Sequence, residues 1–195
     1  MSNLKAQLPT SILGALEPID PPDLVPRSST PTRLVPSLGF NIRTQEQSNW
    51  CWAAVGVSVS KFYDSCSKWT QCSLVDAELD CSCCCNEGSS KRCNKPWYLD
   101  RALRRTYNYH NWRSGSLSVE ELIAELESGA PVAVRIGWKG GGGHFVCIDH
   151  CVTGDRQYIE VHDPWSGSAT CEYIEFASNY KGMGKWTHTY LTKGV

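Results

Sequence analysis

The first half of the chain carries apolar residues at helical spacing. Residues 51–63 contain no proline and place Val55 and Val59 one turn apart, which predicts a buried helix that begins at Cys51. A second helix is predicted over residues 97–106, directly after a proline. These elements indicate that the amino-terminal part of the domain is helical.

A third helix has the clearest local signals. Ser118 and Glu121 have the spacing of a capping box, in which each side chain accepts a hydrogen bond from the backbone N–H of the other residue. Apolar residues follow at helical spacing, and Gly129 is a typical stop. The pattern predicts a helix over residues 119–128.

The pattern becomes strand-like after Pro131. Short segments rich in Val, Ile, Tyr and Phe are separated by Gly, Asp and Asn, which predicts strands at 131–138, 144–152, 157–163, 171–176 and 187–191. Helices that precede a run of strands favour an α+β fold with an antiparallel sheet over a doubly wound parallel sheet.

Seven of the ten prolines lie before residue 38. Proline lacks an N–H and biases the preceding residue away from the helix, so residues 1–38 are predicted to be a flexible leader or linker. A propeptide or docking segment is the alternative. The folded domain is expected to occupy residues 39–195. The leader lacks the lysine-led apolar stretch of a Sec signal.

Composition excludes several functions as the main activity. The 195 residues carry 19 Lys and Arg against 20 Asp and Glu, a net charge of −1, which does not favour binding to nucleic acid. No apolar run reaches the ~20 residues of a membrane helix, so no membrane span is expected. The length suits one domain with a substantial core.

Eleven cysteines leave at least one thiol unpaired if all the others form disulfides. Cys51 lies at the predicted start of a helix, where unpaired N–H groups favour the thiolate, the nucleophilic form. A buried structural cysteine is the alternative. Gln45, or with less support Gln47, lies upstream and could offer an amide donor to an oxyanion.

Two later residues complete a candidate catalytic set. His144 follows a run of four glycines and begins an apolar strand, so its imidazole could exchange a proton with a thiol. Asp163 ends another predicted strand and could orient that imidazole. Taken alone, the first could be a surface histidine and the second a turn residue before proline.

Taken together, Gln45…Cys51-Trp52-Ala53-Ala54, Gly143-His144-Phe145-Val146 and Asp163-Pro164 resemble papain-like cysteine peptidases of bacterial type. The likeness is to bacteriocin-processing double-glycine peptidases and to effector proteases of plant pathogens. The resemblance implies a papain-like fold whose central helix begins at the nucleophile Cys51. It implies that the carboxy-terminal sheet carries His144 as base and acid and Asp163 as its orienting group. It also implies that Gln45 lies in the oxyanion hole.

The ten other cysteines have three interpretations. Seven cysteines lie between residues 66 and 93, and they could form disulfides, stay reduced or bind a metal. Four cysteines within residues 81–85 do not fit a zinc motif, so disulfides are favoured and no metal or cofactor is predicted. The resemblance implies two bridges, Cys72–Cys84 and Cys85–Cys93. Cys151 and Cys171, on predicted neighbouring strands, could form a third.

The predicted substrate is a protein or peptide, and the family likeness suggests cleavage at small residues such as Gly-Gly. Candidate cleft residues are four tryptophans and one glycine: Trp50, Trp52, Trp138, Trp165 and Gly143. The same Cys-His-Asp order occurs in acyltransferases, transglutaminases and deamidases, and an inactive cysteine-rich binding module is a further alternative.

Disulfides without a Sec signal suggest a toxin or effector delivered by specialised bacterial export, with an immunity or inhibitor protein as its partner. A peptide-maturation protease, or a protein that stays in the cytoplasm, is the alternative.

Overall fold

A computed structural model describes residues 32–195 as five helices and seven strands. The helices are α1 (Cys51–Tyr63), α2 (Gln71–Leu79), α3 (Leu99–Arg105), α4 (Val119–Glu127) and α5 (Tyr173–Asn179). The strands are β1 (Arg33–Val35), β2 (Tyr109–Ser114), β3 (Val132–Trp138), β4 (Gly143–Thr153), β5 (Tyr158–Asp163), β6 (Gly167–Glu172) and β7 (Gly184–Thr192). The three predicted helices correspond to α1, α3 and α4, and they and four of the five predicted strands are confirmed within a few residues.

The strands form one antiparallel sheet in the order β2-β7-β3-β4-β5-β6, and β1 pairs with β4. This topology confirms the predicted α+β class. Because side chains alternate across a strand, each face of the sheet buries its own apolar set. Among the described residues, no helix is long and apolar enough to cross a membrane.

The buried apolar residues form two clusters, and helix α1 lies in the first core, together with α2, α3 and one face of the sheet. Its residues from Cys51 to Ser60 are all buried, which explains why apolar and small residues dominate the whole helix rather than one stripe. Val55 and Val59 pack in the same cluster as Leu74 of α2 and Leu103 of α3. The buried position of α1 therefore fixes its first residue in space.

The second core fills the other side of the sheet. Leu122 and Leu126 of α4 pack in a cluster with Val134, Ile148 and Ile159 of the central strands. The capping box predicted at the start of α4 is present, with the Ser118 side chain accepting from the backbone of residue 121 and the reverse bond also made.

Several elements differ from the sequence prediction. The predicted strand 171–176 is wrong over most of its length: β6 ends at Glu172, and Tyr173–Asn179 is helix α5, which buries Phe176. Helix α2 was not predicted, although Thr70 caps it and Leu74 and Val75 are buried behind that cap. Strand β2 was missed because it lies at a sheet edge with exposed side chains, so it has no apolar alternation.

The amino-terminal boundary of the sheet lies earlier than residue 39. Residues Arg33–Val35, assigned from sequence to the leader, form β1 and pair with the far end of β4. Val35 is buried in the second core, and Phe40 is buried in the first. The predicted leader up to residue 31 lies outside the described residues.

Two disulfides tie the cysteine-rich segment together, Cys72–Cys85 and Cys84–Cys93. The four cysteines are those that the resemblance implied, but the implied pairing is wrong. Adjacent residues point to opposite sides here: Cys84 is buried and meets the buried Cys93, whereas Cys85 is exposed and meets Cys72 at the edge of α2.

The expected bridge between Cys151 and Cys171 is also wrong. Both cysteines are free, and each lies opposite Ile159, on the two sides of strand β5. Two strand spacings amount to about 10 Å between Cα atoms, beyond the ~7 Å limit for a disulfide.

Candidate active site

Cys51 is the first residue of α1, at the rim of the first core. The residue is 8% exposed and lines a cleft, while the helix behind it is buried. As the first helical residue, its N–H has no acceptor within the helix. The positive end of the helix dipole also favours a negative charge at this point.

His144 faces Cys51 from the second position of β4. The two residues line the same cleft, and the His144 Nε2 atom lies 2.6 Å from Oδ1 of Asp163. Burial disfavours the imidazolium, but the interactions with Asp163 and Cys51 outweigh it and raise the pKa of His144 to about 9. The arrangement therefore favours a protonated ring beside the sulfur at neutral pH.

The glycine run before His144 makes the β3–β4 turn. Gly141 and Gly142 have φ angles of +92° and +80°, which side chains rarely adopt. At Gly143, an added Cβ would lie 2.7 Å from the Arg135 guanidinium. That guanidinium bonds the Gly142 carbonyl oxygen at 3.0 Å and so braces the turn. The glycines thus serve the turn that delivers His144.

Asp163 is 1% exposed and is surrounded by donors. Its Oδ1 also accepts the Trp165 N–H at 2.8 Å, while Oδ2 accepts from Tyr180 Oη at 2.9 Å and Lys181 Nζ at 2.7 Å. Burial alone would raise its pKa, but His144 and then Lys181 hold the pKa of this carboxyl well below its usual range. Asp163 is therefore ionised and fixed in orientation.

Sequence reasoning missed Tyr180 and Lys181, which lie between α5 and β7. Lys181 has a left-handed backbone, with φ of 51°, which turns the chain toward Asp163. No motif in the surrounding Asn-Tyr-Lys-Gly sequence marks these residues. Only the packing of α5 against β7 brings them to the carboxylate.

The candidate residues line a cleft of about 410 Å³. Of the predicted cleft residues, Trp138, Gly143 and Trp165 line it. The Trp138 ring stacks on His144 with centroids 6.1 Å apart, and Trp165 is 63% exposed. The cleft thus has an aromatic wall beside the imidazole.

The prediction that Trp50 and Trp52 line this cleft is wrong. They are 1% and 0% exposed and lie in the first core. Their indole N–H groups donate to the carbonyl oxygens of Cys93 at 2.9 Å and Lys95 at 3.0 Å. Both rings therefore anchor the residues around Cys51 to the segment that follows the cysteine-rich loop.

Gln45 lies in the loop before α1, and its amide nitrogen donates to the carbonyl oxygens of Gln47 at 2.7 Å and Ser48 at 3.0 Å. In this conformation the amide supports the loop, and Gln45 is outside the set of described residues that line the cleft. Gln47 lies beside Gly88, on the side of the cysteine-rich loop. The structure therefore does not bring either glutamine amide to the cleft.

A second buried His–Asp pair lies on the same strands. His162 Nε2 is 2.6 Å from Asp149 Oδ1, and its Nδ1 is 2.7 Å from Ser168 Oγ. The other oxygen of Asp149 accepts from Ser37 Oγ at 2.8 Å and from the Phe40 N–H at 3.1 Å. This pair fastens the start of the domain to the sheet.

Two groups of side chains in residues 32–195 have a donor geometry that could hold a metal ion. They are Cys81, Cys83, Cys84 and Cys93, and Asp149, Glu160 and His162, each with ligand atoms within 4.8 Å of one another. In the first group, two of the sulfurs already form a disulfide. In the second group, the hydrogen bonds of Asp149 and His162 engage both residues within the protein.

A cysteine at the start of a buried helix, in one cleft with a His–Asp pair on an antiparallel sheet, is the arrangement expected of a papain-like cysteine protease. Comparison with protein-family models matches residues 36–181 to the family described as papain-like cysteine protease AvrRpt2. This match covers most of the chain, and the protein belongs to this family of bacterial effector proteases. No curated protein matches the chain.

Proposed function

We propose that the protein hydrolyses peptide bonds in a protein substrate, with Cys51 as the nucleophile, His144 as base and acid, and Asp163 as the orienting group. One observation carries the proposal: Cys51 and His144 line the same cleft, and the imidazole Nε2 of His144 lies 2.6 Å from Asp163 Oδ1. Membership of a protease family supports the reaction type.

The reaction has two stages. The Cys51 thiolate attacks the scissile carbonyl carbon, and His144 gives its proton to the departing amine, so an acyl-thioester and a free amino terminus form. Water then enters, His144 removes its proton, and the C–S bond breaks to release the carboxylate and restore the thiolate. Asp163 stays ionised throughout because Tyr180 and Lys181 stabilise its charge.

The oxyanion of the tetrahedral intermediate needs donors near the sulfur. The Cys51 N–H at the helix start is one candidate. Gln45 is proposed as the second donor, on its position six residues before the nucleophile. To act in this way, its amide must leave the carbonyl oxygens of residues 47 and 48, and substrate binding would have to favour that change.

Apolar side chains line part of the cleft. Trp138, Trp165 and Pro96 lie along it together with Cys51 and His144, and an extended peptide bound there would contact them. From the likeness to double-glycine peptidases we propose small residues, such as Gly-Gly, at the cleavage site. Delivery by specialised bacterial export, action as a toxin or effector, and an inhibitor or immunity partner fit the family and are proposed with it.

The test is labelling with an epoxide that reacts with activated thiols, followed by mapping of the labelled peptide. We expect label at Cys51 and its loss in His144→Ala, with Asp149→Asn as a matched control in the other His–Asp pair. Cys51→Ala should abolish cleavage of a protein panel without changing the thermal unfolding midpoint. Equal labelling of Cys51 with and without His144 would contradict the proposal, and transfer to an added amine in place of hydrolysis would indicate an acyltransferase.

A further inference from the structure

Four sulfur atoms lie close together in the cysteine-rich loop between α2 and α3. The Sγ atoms of Cys81, Cys83, Cys84 and Cys93 all lie within 4.8 Å of one another. Cys84 and Cys93 form a disulfide and are 1% and 0% exposed, while Cys81 and Cys83 carry free thiols. A disulfide is thus packed directly against two further sulfurs.

The contacts of this cluster suit thiol–disulfide exchange. Cys81 Sγ lies 3.1 Å from Cys84 Sγ, and Cys83 Sγ lies 3.7 Å from Cys93 Sγ. Exchange requires a thiolate that reaches one sulfur of a disulfide. Because Cys81 touches Cys84, no movement of the backbone is needed to bring the attacking atom to its target.

We propose that these cysteines form an exchange site in which Cys84 pairs either with Cys93 or with Cys81. The Cys81 thiolate attacks Cys84 Sγ, the Cys84–Cys93 bond breaks, and the electron pair leaves on Cys93, which then takes up a proton. One disulfide is lost and one is formed, so the step needs neither oxidant nor reductant.

Asp76 holds the attacking residue in place. Its Oδ1 accepts the Cys81 S–H at 3.3 Å and the Cys84 N–H at 2.8 Å, so one carboxylate oxygen bridges both exchange partners. Burial, and then this carboxylate, raise the pKa of the Cys81 thiol. The resting cluster therefore keeps Cys81 protonated, and the described pairing persists until that proton is removed.

The cluster is connected to the candidate nucleophile by hydrogen bonds. The carbonyl oxygens of Cys93 and Lys95 accept the indole N–H groups of Trp50 and Trp52, the two neighbours of Cys51. The Cys84–Cys93 disulfide cross-links the segment 93–95, which accepts these two hydrogen bonds, to Cys84 in the cysteine-rich loop. Exchange would release the segment from that cross-link, so the pairing of Cys84 would regulate the proposed protease, an effect that rests on the proposed function.

The exchange itself is tested without any activity measurement. The full chain carrying Cys51→Ala is incubated at about pH 8.5, near the ordinary pKa of a thiol. It is then acidified, alkylated and digested with pepsin for disulfide mapping. We expect a Cys81–Cys84 link with alkylated Cys93 in at least a few per cent of molecules. The link should be absent in Cys81→Ser and present in Cys83→Ser.

Two results would overturn the exchange site. One is mapping that finds Cys84 joined only to Cys93, with Cys81 always alkylated. The other is one equivalent of zinc bound by the reduced chain and lost in both Cys81→Ser and Cys83→Ser, because the four sulfurs would then be a metal site.

The regulatory effect is tested with Cys93→Ser, in which Cys84 is expected to pair with Cys81, whose sulfur lies 3.1 Å from its own. We expect kcat/KM for a cleaved peptide to fall about 10-fold or more, because small displacements of a nucleophile are costly. Cys83→Ser should match the wild type. Equal activity of Cys93→Ser and wild type would refute the coupling. If the wild type itself cleaves nothing, the proposed function fails, while the mapping still decides the exchange.

Discussion

Replacing Asp163 with asparagine removes the charge that keeps His144 protonated. Burial opposes the imidazolium, yet its interactions with Asp163 and Cys51 raise the pKa from the ordinary 6.5 to about 9. At about 1.4 kcal/mol per pKa unit, this rise amounts to about 3 kcal/mol in favour of the charged ring. Asp163 is the larger of the two contributors, so Asp163→Asn should remove most of that energy.

The sign of the effect follows from the direction of the shift. A raised pKa means that the stabilised imidazolium exists below about pH 9 and is lost as the pH rises through that value. In Asp163→Asn the burial of His144 remains while the attractive charge is gone. The titration should therefore move down toward, or below, the ordinary histidine value.

The assay is NMR titration of protein labelled at histidine Cε1, which is practical because the chain has only five histidines. A His144→Gln variant assigns the signal. Asp149→Asn is the matched control, because its carboxylate bonds His162 and should leave the His144 midpoint unchanged. A midpoint in Asp163→Asn within about one unit of the wild-type value would refute the reasoning, since the pair would then contribute less than about 1.4 kcal/mol.

Three further predictions concern stability. Gly184→Ala should cost about 1–3 kcal/mol in urea unfolding, because its Cβ would lie 2.6 Å from the Trp138 ring; an unchanged midpoint would show that the ring moves freely. The double variant Cys72→Ser, Cys85→Ser should lower the unfolding free energy by about 3 kcal/mol, because this disulfide closes a loop with a separation of 13 residues. Chemical reduction should lower the unfolding free energy of the double variant by less than that of the wild type. Burial would raise the pKa of Asp149, but its histidine partner lowers it, so its contribution is lost as pH falls below about 4; Asp149→Asn should flatten the acid limb of stability measured by urea unfolding.

Local signals in the sequence were sufficient for most of the secondary structure. Helix α1 and helix α4 were predicted because apolar spacing, a capping box and a stop glycine act within one or two turns. Residues 171–176 were misread as strand because their aromatic and β-branched residues favour strands, while packing of Phe176 in the second core favours the helix.

The candidate residues were also identifiable from sequence, because a cysteine at a helix start, a histidine after a glycine run and Asp-Pro after a strand each carry a chemical signal. Their surroundings were not. Trp50 and Trp52 flank Cys51 in the sequence, so the local sequence allows their rings to line a cleft as well as to lie in the core. Only the position of α1 inside the first core decided that the rings are buried.

The sequence by itself determined the order of the elements and which residues bear chemistry, because periodicity, capping and turn residues act over short distances. The tertiary structure decided which of those residues meet. Strand register separates Cys151 from Cys171. The opposite directions of the Cys84 and Cys85 side chains decide that Cys85, and not Cys84, pairs with Cys72. The packing of α5 brings Lys181 to Asp163. Contacts between residues far apart in the chain depend on how whole helices and strands pack, and no local sequence pattern encodes that packing.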